Sequence, residues 1–255
     1  MLDSRKKLEV IFSPELFKYY DNPAANVVIV DILRATSAIC TAFQNGVSQV
    51  IPVPTRIEAR KYKDKGYIVA AERDGQVLDF ADFGNSPFNF TSERIKNKSV
   101  VYSTTNGTKA IHLARRNNKV IIASFLNISV VAELLIQDHH DVLILCAGWK
   151  GKFSLEDTVF SGALAEKLLD SGSFYSICDS VKASLDLWKL AKTNIMEYID
   201  KVAQRERLRK LGLDDVLEYC HTPDTSNKIP VYQMGSLKPI MRVRNVRITI
   251  SKLIP

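Results

Sequence analysis

The sequence is poor in cysteine and histidine, and it has no long apolar run. Its four cysteines are far apart and form no CxxC pair, so neither a disulfide-built scaffold nor a cysteine zinc site is expected. The four histidines show no metal-ligand spacing. No run of ~18 apolar residues occurs, so we expect no membrane span. The first residues lack the apolar core of a signal peptide, and we therefore predict a cytoplasmic protein with reduced thiols.

Several catalytic signatures are also absent. The chain has no GxxxxGK(S/T), no GxSxG and no HExxH, which excludes a P-loop, a nucleophile elbow and that zinc protease motif. Cys146 is followed six places later by Lys152, where a cysteine phosphatase has Arg. Asp31 is followed two places later by Leu33, where an aspartyl phosphatase has a second Asp. A phosphatase built from this chain needs another arrangement.

The charge balance is basic, with 35 Lys and Arg against 28 Asp and Glu and a formal net charge of +7. Five of the cations and no acid lie in residues 236–255, which we interpret as a basic C-terminal tail. A solvated tail is the simpler interpretation, and a nucleic-acid or membrane contact is the alternative. No RNA- or DNA-binding motif supports that alternative, so we expect neither nucleic acid nor membrane as a partner.

Short β-branched, apolar segments alternate with helical patterns along the chain. The strand candidates are residues 26–33, 48–53, 67–71, 99–102, 119–124 and 141–147. Continuous apolar strands separated by helices predict an α/β fold, three-layer α/β/α with a mostly parallel sheet. Thr55 and Ser154 are candidate helix caps, and residues 229–232 suggest a late strand. We predict one domain over residues 1–235.

The chain also shows an internal echo at an offset of 72 residues. Residues 27–46 align without a gap with residues 99–118, and both segments read as strand, polar loop and helix. This indicates an internal duplication with a boundary near 90–98; the alternative is two βαβ units that obey the same physics. The helical stretch 180–218 could cover a site or form the face of a homodimer.

Polar loops follow four of the strand candidates, where α/β proteins bind ligands. Their sequences are "DILRAT" (31–36), "ERDG" (72–75), "STTNGT" (103–108) and "GWKGKFSLED" (148–157), and "DFGNSP" (82–87) adds a fifth polar loop. "STTNGT" precedes a helix, so its free N–H groups and its hydroxyls favour a bound phosphate. The alternative for this loop is simple helix capping.

The charged residues of these loops have two interpretations each. Asp31 is a candidate metal ligand or nucleophile, or a turn-stabilising Asp. Arg34 could clamp a phosphate or carboxylate, or form a surface ion pair. Glu72 and Asp74 could bind Mg²⁺ or lie in an ordinary turn, whereas helix capping explains Asp157 and the helix dipole explains Glu156.

Five motifs taken in order resemble the 2-phosphosulfolactate phosphatase family. They are "VDILRATSAI" (30–39), "AERDG" (71–75), "DFGNSP" (82–87), "STTNGT" (103–108) and "CAGWKGKFSLEDTVFSGALAE" (146–166), within a resemblance that runs from about residue 8 to 235. The resemblance implies a Mg²⁺-dependent acid phosphatase that hydrolyses 2-phospho-3-sulfolactate on a route to coenzyme M. It also implies an α/β fold with an internal duplication.

The resemblance gives the site residues provisional roles. The catalytic set is Asp31, Arg34 and Glu72; the metal set is Asp31, Glu72, Asp74, Glu156 and Asp157; and the substrate set is Arg73, Asn85, Ser86, Ser103, Thr104, Thr105, Asn106, Gly107, Thr108, Lys150 and Lys152. Attack by a metal-activated water and direct attack by Asp31 both remain open. The rival hypotheses are a phosphatase or phosphotransferase for another small phosphorylated acid, and a non-catalytic anion-binding protein.

Overall fold

The computed structural model describes residues 4–240, so most of the predicted basic tail lies outside it. The strands are β1 Lys6–Ile11, β2 Asn26–Val30, β3 Gln49–Pro52, β4 Ile68–Arg73, β5 Gln76–Val77, β6 Ser99–Ser103, β7 Lys119–Ala123, β8 Val142–Cys146, β9 Phe174–Tyr175, β10 Pro230–Gln233 and β11 Ser236–Pro239. The α-helices are α1 Ala35–Gln44, α2 Arg56–Lys63, α3 Ser92–Ile95, α4 Gly107–Ala114, α5 Ile128–Asp138, α6 Leu155–Asp170, α7 Asp179–Ala191, α8 Ile195–Ile199, α9 Ala203–Lys210 and α10 Leu217–His221.

These strands form an 11-stranded sheet in the order β5-β4-β6-β3-β11-β10-β7-β2-β8-β1-β9. Strands β4, β6 and β3 are mutually parallel, and so are β7, β2, β8, β1 and β9. The prediction of an α/β fold with a mostly parallel sheet is confirmed.

The two parallel groups exchange their first strands. The chain runs β2-α1-β3-α2-β4 and then β6-α4-β7-α5-β8, but β2 lies between β7 and β8, and β6 lies between β4 and β3. The registers agree with this exchange, since Val27 pairs with Val120 and its equivalent Ser99 pairs with Gln49. A duplicated strand-helix unit gives this order when the first strand of each copy, β2 or β6, joins the sheet of the other copy. The strand order therefore supports the predicted duplication.

A hairpin of β10 and β11 joins the two groups. Val231 of β10 pairs antiparallel with Ile121, and Leu237 of β11 pairs antiparallel with Val50. Because three antiparallel pairings separate β7 from β3, the two groups run in opposite directions. The strand Ser236–Pro239 belongs to the sheet, so the sheet extends four residues past the boundary predicted at 235 and into the segment predicted as a tail.

Alternate side chains of the central strands enter different cores, as the pleat requires. Val28 and Val30 pack in a core with α5 and α6, whereas Val27 and Ile29 pack in a core with α1 and α4. This second core also takes Val100 from the other strand group, so it joins the two halves. A third, smaller core lies under α2.

The predicted caps and the late strand are present, and one helix differs. Thr55 and Ser154 accept hydrogen bonds from the backbone N–H groups of Glu58 and Asp157, as predicted. The helical stretch predicted over residues 180–218 is divided into several helices: α8 ends at Ile199, and α9 begins after Val202, which has an extended backbone and a buried side chain. Across residues 4–240, no helix combines the length and apolar character needed to cross a membrane.

Candidate active site

The loops that follow the exchanged strands β2 and β6 touch each other at Gly107. A Cβ atom added to Gly107 would lie 2.9 Å from Asp31 Oδ2 and 2.6 Å from Ala35 Cβ. Neither distance is sterically allowed, so glycine is required for this approach. The predicted loops "DILRAT" and "STTNGT" therefore meet, although their strands belong to groups that run in opposite directions.

Asp31 is buried at the end of β2, with 9% of its surface exposed. Its Oδ1 accepts a hydrogen bond from Ala35 N at 3.2 Å, and Thr36 Oγ1 closes the loop onto the Asp31 backbone. Burial, with the nearby charges of Glu72 and Glu156, raises the pKa of Asp31 to about 7, while N–H groups of Ala35 and Gly107 oppose that rise. Such a group changes its protonation state near neutral pH.

The loop "STTNGT" after β6 is also closed by a threonine hydroxyl that bonds to the backbone at the start of the loop. Thr108 Oγ1 accepts from Thr104 N at 3.3 Å and donates to Thr104 O at 3.2 Å, so it closes "STTNGT" as Thr36 closes "DILRAT". Asn106 precedes α4 but its side chain does not cap the helix; Asn106 Oδ1 instead accepts from Lys150 N at 3.0 Å. This loop therefore contacts the loop after β8, beyond what helix capping needs.

Glu72 organises the loops after β4 and β6. Its two carboxylate oxygens accept from Thr105 N and Gly75 N, each at 2.8 Å. Arg73 donates to Ser103 Oγ at 2.9 Å, and Asp74 N donates to Thr105 Oγ1 at 3.0 Å. The arrangement fixes "ERDG" against "STTNGT", so Glu72 is a structural hub of the site.

Asp157 ties the loop after β8 to the loop after β2. Its Oδ1 accepts from Ile32 N at 2.9 Å and its Oδ2 accepts from Gly148 N at 3.2 Å. Burial, then the charges of Glu156 and Asp31, raises the pKa of Asp157 well above its ordinary range. Burial also raises the pKa of Glu156. Four strand ends, two from each parallel group, thus converge on one acidic centre.

Arg34 supplies a buried positive charge with an unused donor. Arg34 is 4% exposed; its Nη2 donates to Asn85 Oδ1 at 2.8 Å, while its Nη1 is buried and, within residues 4–240, has no hydrogen-bond partner. The group lines a cavity of about 20 Å³ together with Asp31, Glu72 and Trp149. An unpaired buried guanidinium N–H is costly unless a ligand accepts from it.

Helix α9 covers this small cavity, in line with one of the two interpretations of the helical stretch 180–218, although sequence reasoning did not identify Gln204. Gln204 and Leu208 line the cavity, and Gln204 is only 8% exposed. Arg207 donates to Gln204 Oε1 at 2.7 Å and stacks 4.4 Å from the ring centroid of Trp149. A buried Gln on the apolar face of α9 was the only available sequence signal for this role.

A second, open cavity of about 650 Å³ adjoins the first, and Asn106 lines both. The predicted residues Arg73, Asp74, Thr105 and Lys150 line it, with Lys109, which sequence reasoning also missed. Asp74 pairs with Lys150 at 2.8 Å on the exposed rim. Eight of the predicted site residues line neither cavity: Ser86, Ser103, Thr104, Gly107, Thr108, Lys152, Glu156 and Asp157. The backbone of Lys152 bonds to that of Trp149.

Comparison with known proteins gives the family of this chain. The family model of 2-phosphosulpholactate phosphatase matches residues 11–235. This chain belongs to that family. A probable 2-phosphosulfolactate phosphatase of Caldanaerobacter subterraneus subsp. tengcongensis is 36% identical over 84% of this chain and 90% of its own length. The corresponding protein of Clostridium acetobutylicum is 33% identical over 91% of this chain and 99% of its own length.

Members of the 2-phosphosulfolactate phosphatase family are phosphoric monoester hydrolases, so the chain is an enzyme of that class. The identification confirms the resemblance that the five sequence motifs indicate. The motifs lie within the matched region, and their loops are those that converge at Asp31 and Gly107.

The acidic centre suits a divalent cation only in part. Among residues 4–240, no three His, Cys, Asp or Glu side chains form a ready-made metal cage. Mg²⁺ does not need one, because it binds through one or two carboxylates, water and substrate phosphate. Burial and, to a smaller extent, the negative charges of Glu72 and Glu156 raise the pKa of Asp31, and a bound cation would offset both effects.

Proposed function

We propose that this phosphatase hydrolyses 2-phospho-3-sulfolactate to sulfolactate and phosphate with the help of Mg²⁺. The relatives named as probable 2-phosphosulfolactate phosphatases support the substrate. The observation that carries the proposal is Arg34: its buried Nη1 lacks a partner within residues 4–240 and lines a cavity with Asp31. A phosphoryl oxygen is the acceptor that this geometry favours.

The small cavity, at about 20 Å³, has room for about one water molecule. We therefore place the phosphoryl group at the junction beside Asn106, where both cavities meet, with one oxygen accepting from Arg34 Nη1. Gly107 lets this junction come close to Asp31. The N-termini of α1 and α4 add favourable dipoles for the negative charge.

The carboxylate of Asp31, which lines the small cavity, would hold the Mg²⁺, with Glu156, whose negative charge acts on Asp31, as the second carboxylate. Glu72 and Asp157 each use both carboxylate oxygens to accept backbone N–H groups, and Asp74 pairs with Lys150 on the rim. When bound, Mg²⁺ supplies positive charge that neutralises the phosphoryl oxygens.

The chain's own residues bind and orient the phosphoryl group and shield the small cavity from bulk water. Arg34, positioned by Asn85, stabilises the charge on the transferred group. Gln204, Leu208 and Trp149 exclude bulk water from the small cavity. In the reaction a water oxygen bonds to phosphorus while the bond between phosphorus and the oxygen on C2 of the substrate breaks. One proton of the water ends on the C2 oxygen, which becomes the hydroxyl of sulfolactate.

A panel of phosphorylated acids tests the proposal by phosphate release, with Mg²⁺ and with EDTA. We expect 2-phospho-3-sulfolactate to give the highest kcat/KM, and EDTA to abolish turnover. If another phosphorylated hydroxy acid gives a higher kcat/KM, that acid and not 2-phospho-3-sulfolactate is the preferred substrate. Binding of these acids without turnover in Mg²⁺ would contradict the enzymatic assignment in favour of an anion-binding protein.

A further inference from the structure

The open cavity next to the proposed reaction centre has more basic than acidic residues in its lining. It is about 650 Å³ and receives the cations Arg73, Lys109 and Lys150 against the acids Glu15 and Asp74. Asn106 lines both this cavity and the small cavity, so a ligand beside Asn106 is next to both.

The three cations differ in how far they are already neutralised. Lys150 pairs with Asp74 at 2.8 Å, and the Arg73 guanidinium donates to Glu72 O at 2.5 Å and to Ser103 Oγ at 2.9 Å. Lys109 is exposed, and none of the ion pairs among residues 4–240 involves it. Lys109 is therefore the cation in this cavity that is free to meet a ligand.

Comparison of Lys109 with its counterpart in α1 also supports a role in ligand binding. It lies in the first turn of α4, two residues after Gly107, and at the offset of 72 its counterpart in α1 is the neutral Ser37. The β2 loop supplies Arg34 to the small cavity, whereas the β6 loop supplies Lys109 to the open one. Arg34, which follows β2, and Lys109, which follows β6, thus serve different cavities.

We propose that the open cavity is a subsite for a second anionic group of the substrate, a carboxylate or a sulfonate, and that Lys109 is its main binding cation, assisted by Arg73. The inference rests on the proposed function and adds to it. It restricts the substrates to phosphorylated acids that carry an anion besides the phosphate. An ammonium of this kind acts as a point charge, which suits either anion.

Kinetics of Lys109→Ala test the subsite directly. For 2-phospho-3-sulfolactate we expect KM to rise at least tenfold with kcat within about twofold, because Lys109 binds the part that does not react. Lys109→Arg should restore most of the loss, and Lys98→Ala, on an exposed lysine away from both cavities, should match the wild type. With p-nitrophenyl phosphate, which has no second anion, Lys109→Ala should change neither constant.

Two further substrates distinguish the anion that Lys109 binds. A KM effect with 2-phospholactate assigns the carboxylate, and an effect with 3-sulfopropyl phosphate assigns the sulfonate. Equal losses with p-nitrophenyl phosphate and with 2-phospho-3-sulfolactate would overturn the subsite, because they would show a general defect.

Binding of unphosphorylated sulfolactate, measured by calorimetry, separates this inference from the catalytic one. We expect the wild type and Lys98→Ala to bind it alike, and Lys109→Ala to bind it at least tenfold more weakly. If no phosphate ester is hydrolysed but this pattern holds, the proposed function fails and the subsite stands. Equal affinities in all three proteins, or no binding to the wild type, would overturn the subsite.

Discussion

Gly107 and Asp31 are in contact although 76 residues separate them and their strands belong to different halves of the sheet, since a Cβ on Gly107 would fall 2.9 Å from Asp31 Oδ2. The contact brings the start of α4 against the strongest candidate for a reactive carboxylate.

Replacement of Gly107 by Ala tests this contact. The added methyl would overlap Asp31 and Ala35 and push the two loops apart. A displacement of about 1 Å at a reacting centre costs on the order of 100-fold in rate, so we expect kcat with 2-phospho-3-sulfolactate to fall by about that factor. Circular dichroism controls for folding: a folded Gly107→Ala protein with wild-type kcat would show that the approach has no role in catalysis.

The raised pKa of Asp31 predicts a pH-dependent stability in the metal-free protein. The pKa is about 7 in the folded state against an ordinary value of 3.8, so the folded protein binds this proton more tightly than the unfolded chain. The free energy of unfolding should therefore fall as pH rises from about 4 to about 7, by up to roughly 4 kcal/mol.

Asp31→Asn isolates the contribution of this carboxylate, because the amide keeps an acceptor for Ala35 N. In EDTA we expect the stability of the variant to depend less on pH than that of the wild type, with a Tm several degrees higher at pH 8. In Mg²⁺ we expect the kcat of the variant to be at least 100-fold lower. Urea unfolding at pH 4 and pH 8 checks the stability. Identical pH dependence of both proteins would contradict the shifted pKa.

The two tryptophans offer a matched pair of reporters for the covered site. Trp149 lines the small cavity, and the guanidinium of Arg207 stacks on its ring. Trp188, in α7, lines neither cavity and donates a hydrogen bond to Glu166 Oε2 at 2.8 Å. We expect sulfolactate with inorganic phosphate to change the fluorescence of Trp188→Phe, which retains Trp149, and to leave that of Trp149→Phe unchanged. If the fluorescence of Trp149→Phe responds to the ligand and that of Trp188→Phe does not, the ligand binds near Trp188 and not in the small cavity.

The hairpin that joins the halves gives a prediction about stability. Leu237 is fully buried where β11 meets Val50, and its neighbour Lys238 is exposed. Leu237→Ala should lower the free energy of unfolding by about 2–5 kcal/mol, and Lys238→Ala should change it by less than about 0.5 kcal/mol. Denaturant titration of both variants checks this, and similar values would mean that β11 does not hold the halves together.

The sequence was informative wherever local chemistry decides the structure. The apolar β-branched runs predict the central strands, Thr55 and Ser154 predict helix starts, and the motif order predicts the family. The 72-residue echo also predicts the two equivalent units, because strand and loop patterns repeat with the fold. These features depend on neighbours in sequence, which periodicity and capping rules describe.

Long-range geometry could not be predicted. Nothing local shows that β2 and β6 exchange places, or that β11 extends the sheet past residue 235. Gln204 and Lys109 were missed for the same reason, since a polar residue on a helix reveals its role only when another element places it at a cavity. Glu72 and Asp157 were identified by motif, but their use of both carboxylate oxygens to accept backbone N–H groups appears only in three dimensions.

We propose that Arg34 binds the transferred phosphoryl group at the junction of the two cavities. The most direct test is phosphate release from 2-phospho-3-sulfolactate in Mg²⁺ by wild type, Arg34→Gln and the exposed-site control Arg116→Gln. We predict that Arg34→Gln loses kcat by 100- to 1000-fold, that Arg116→Gln equals the wild type, and that both variants remain folded. A folded Arg34→Gln protein with kcat close to that of the wild type would contradict the account.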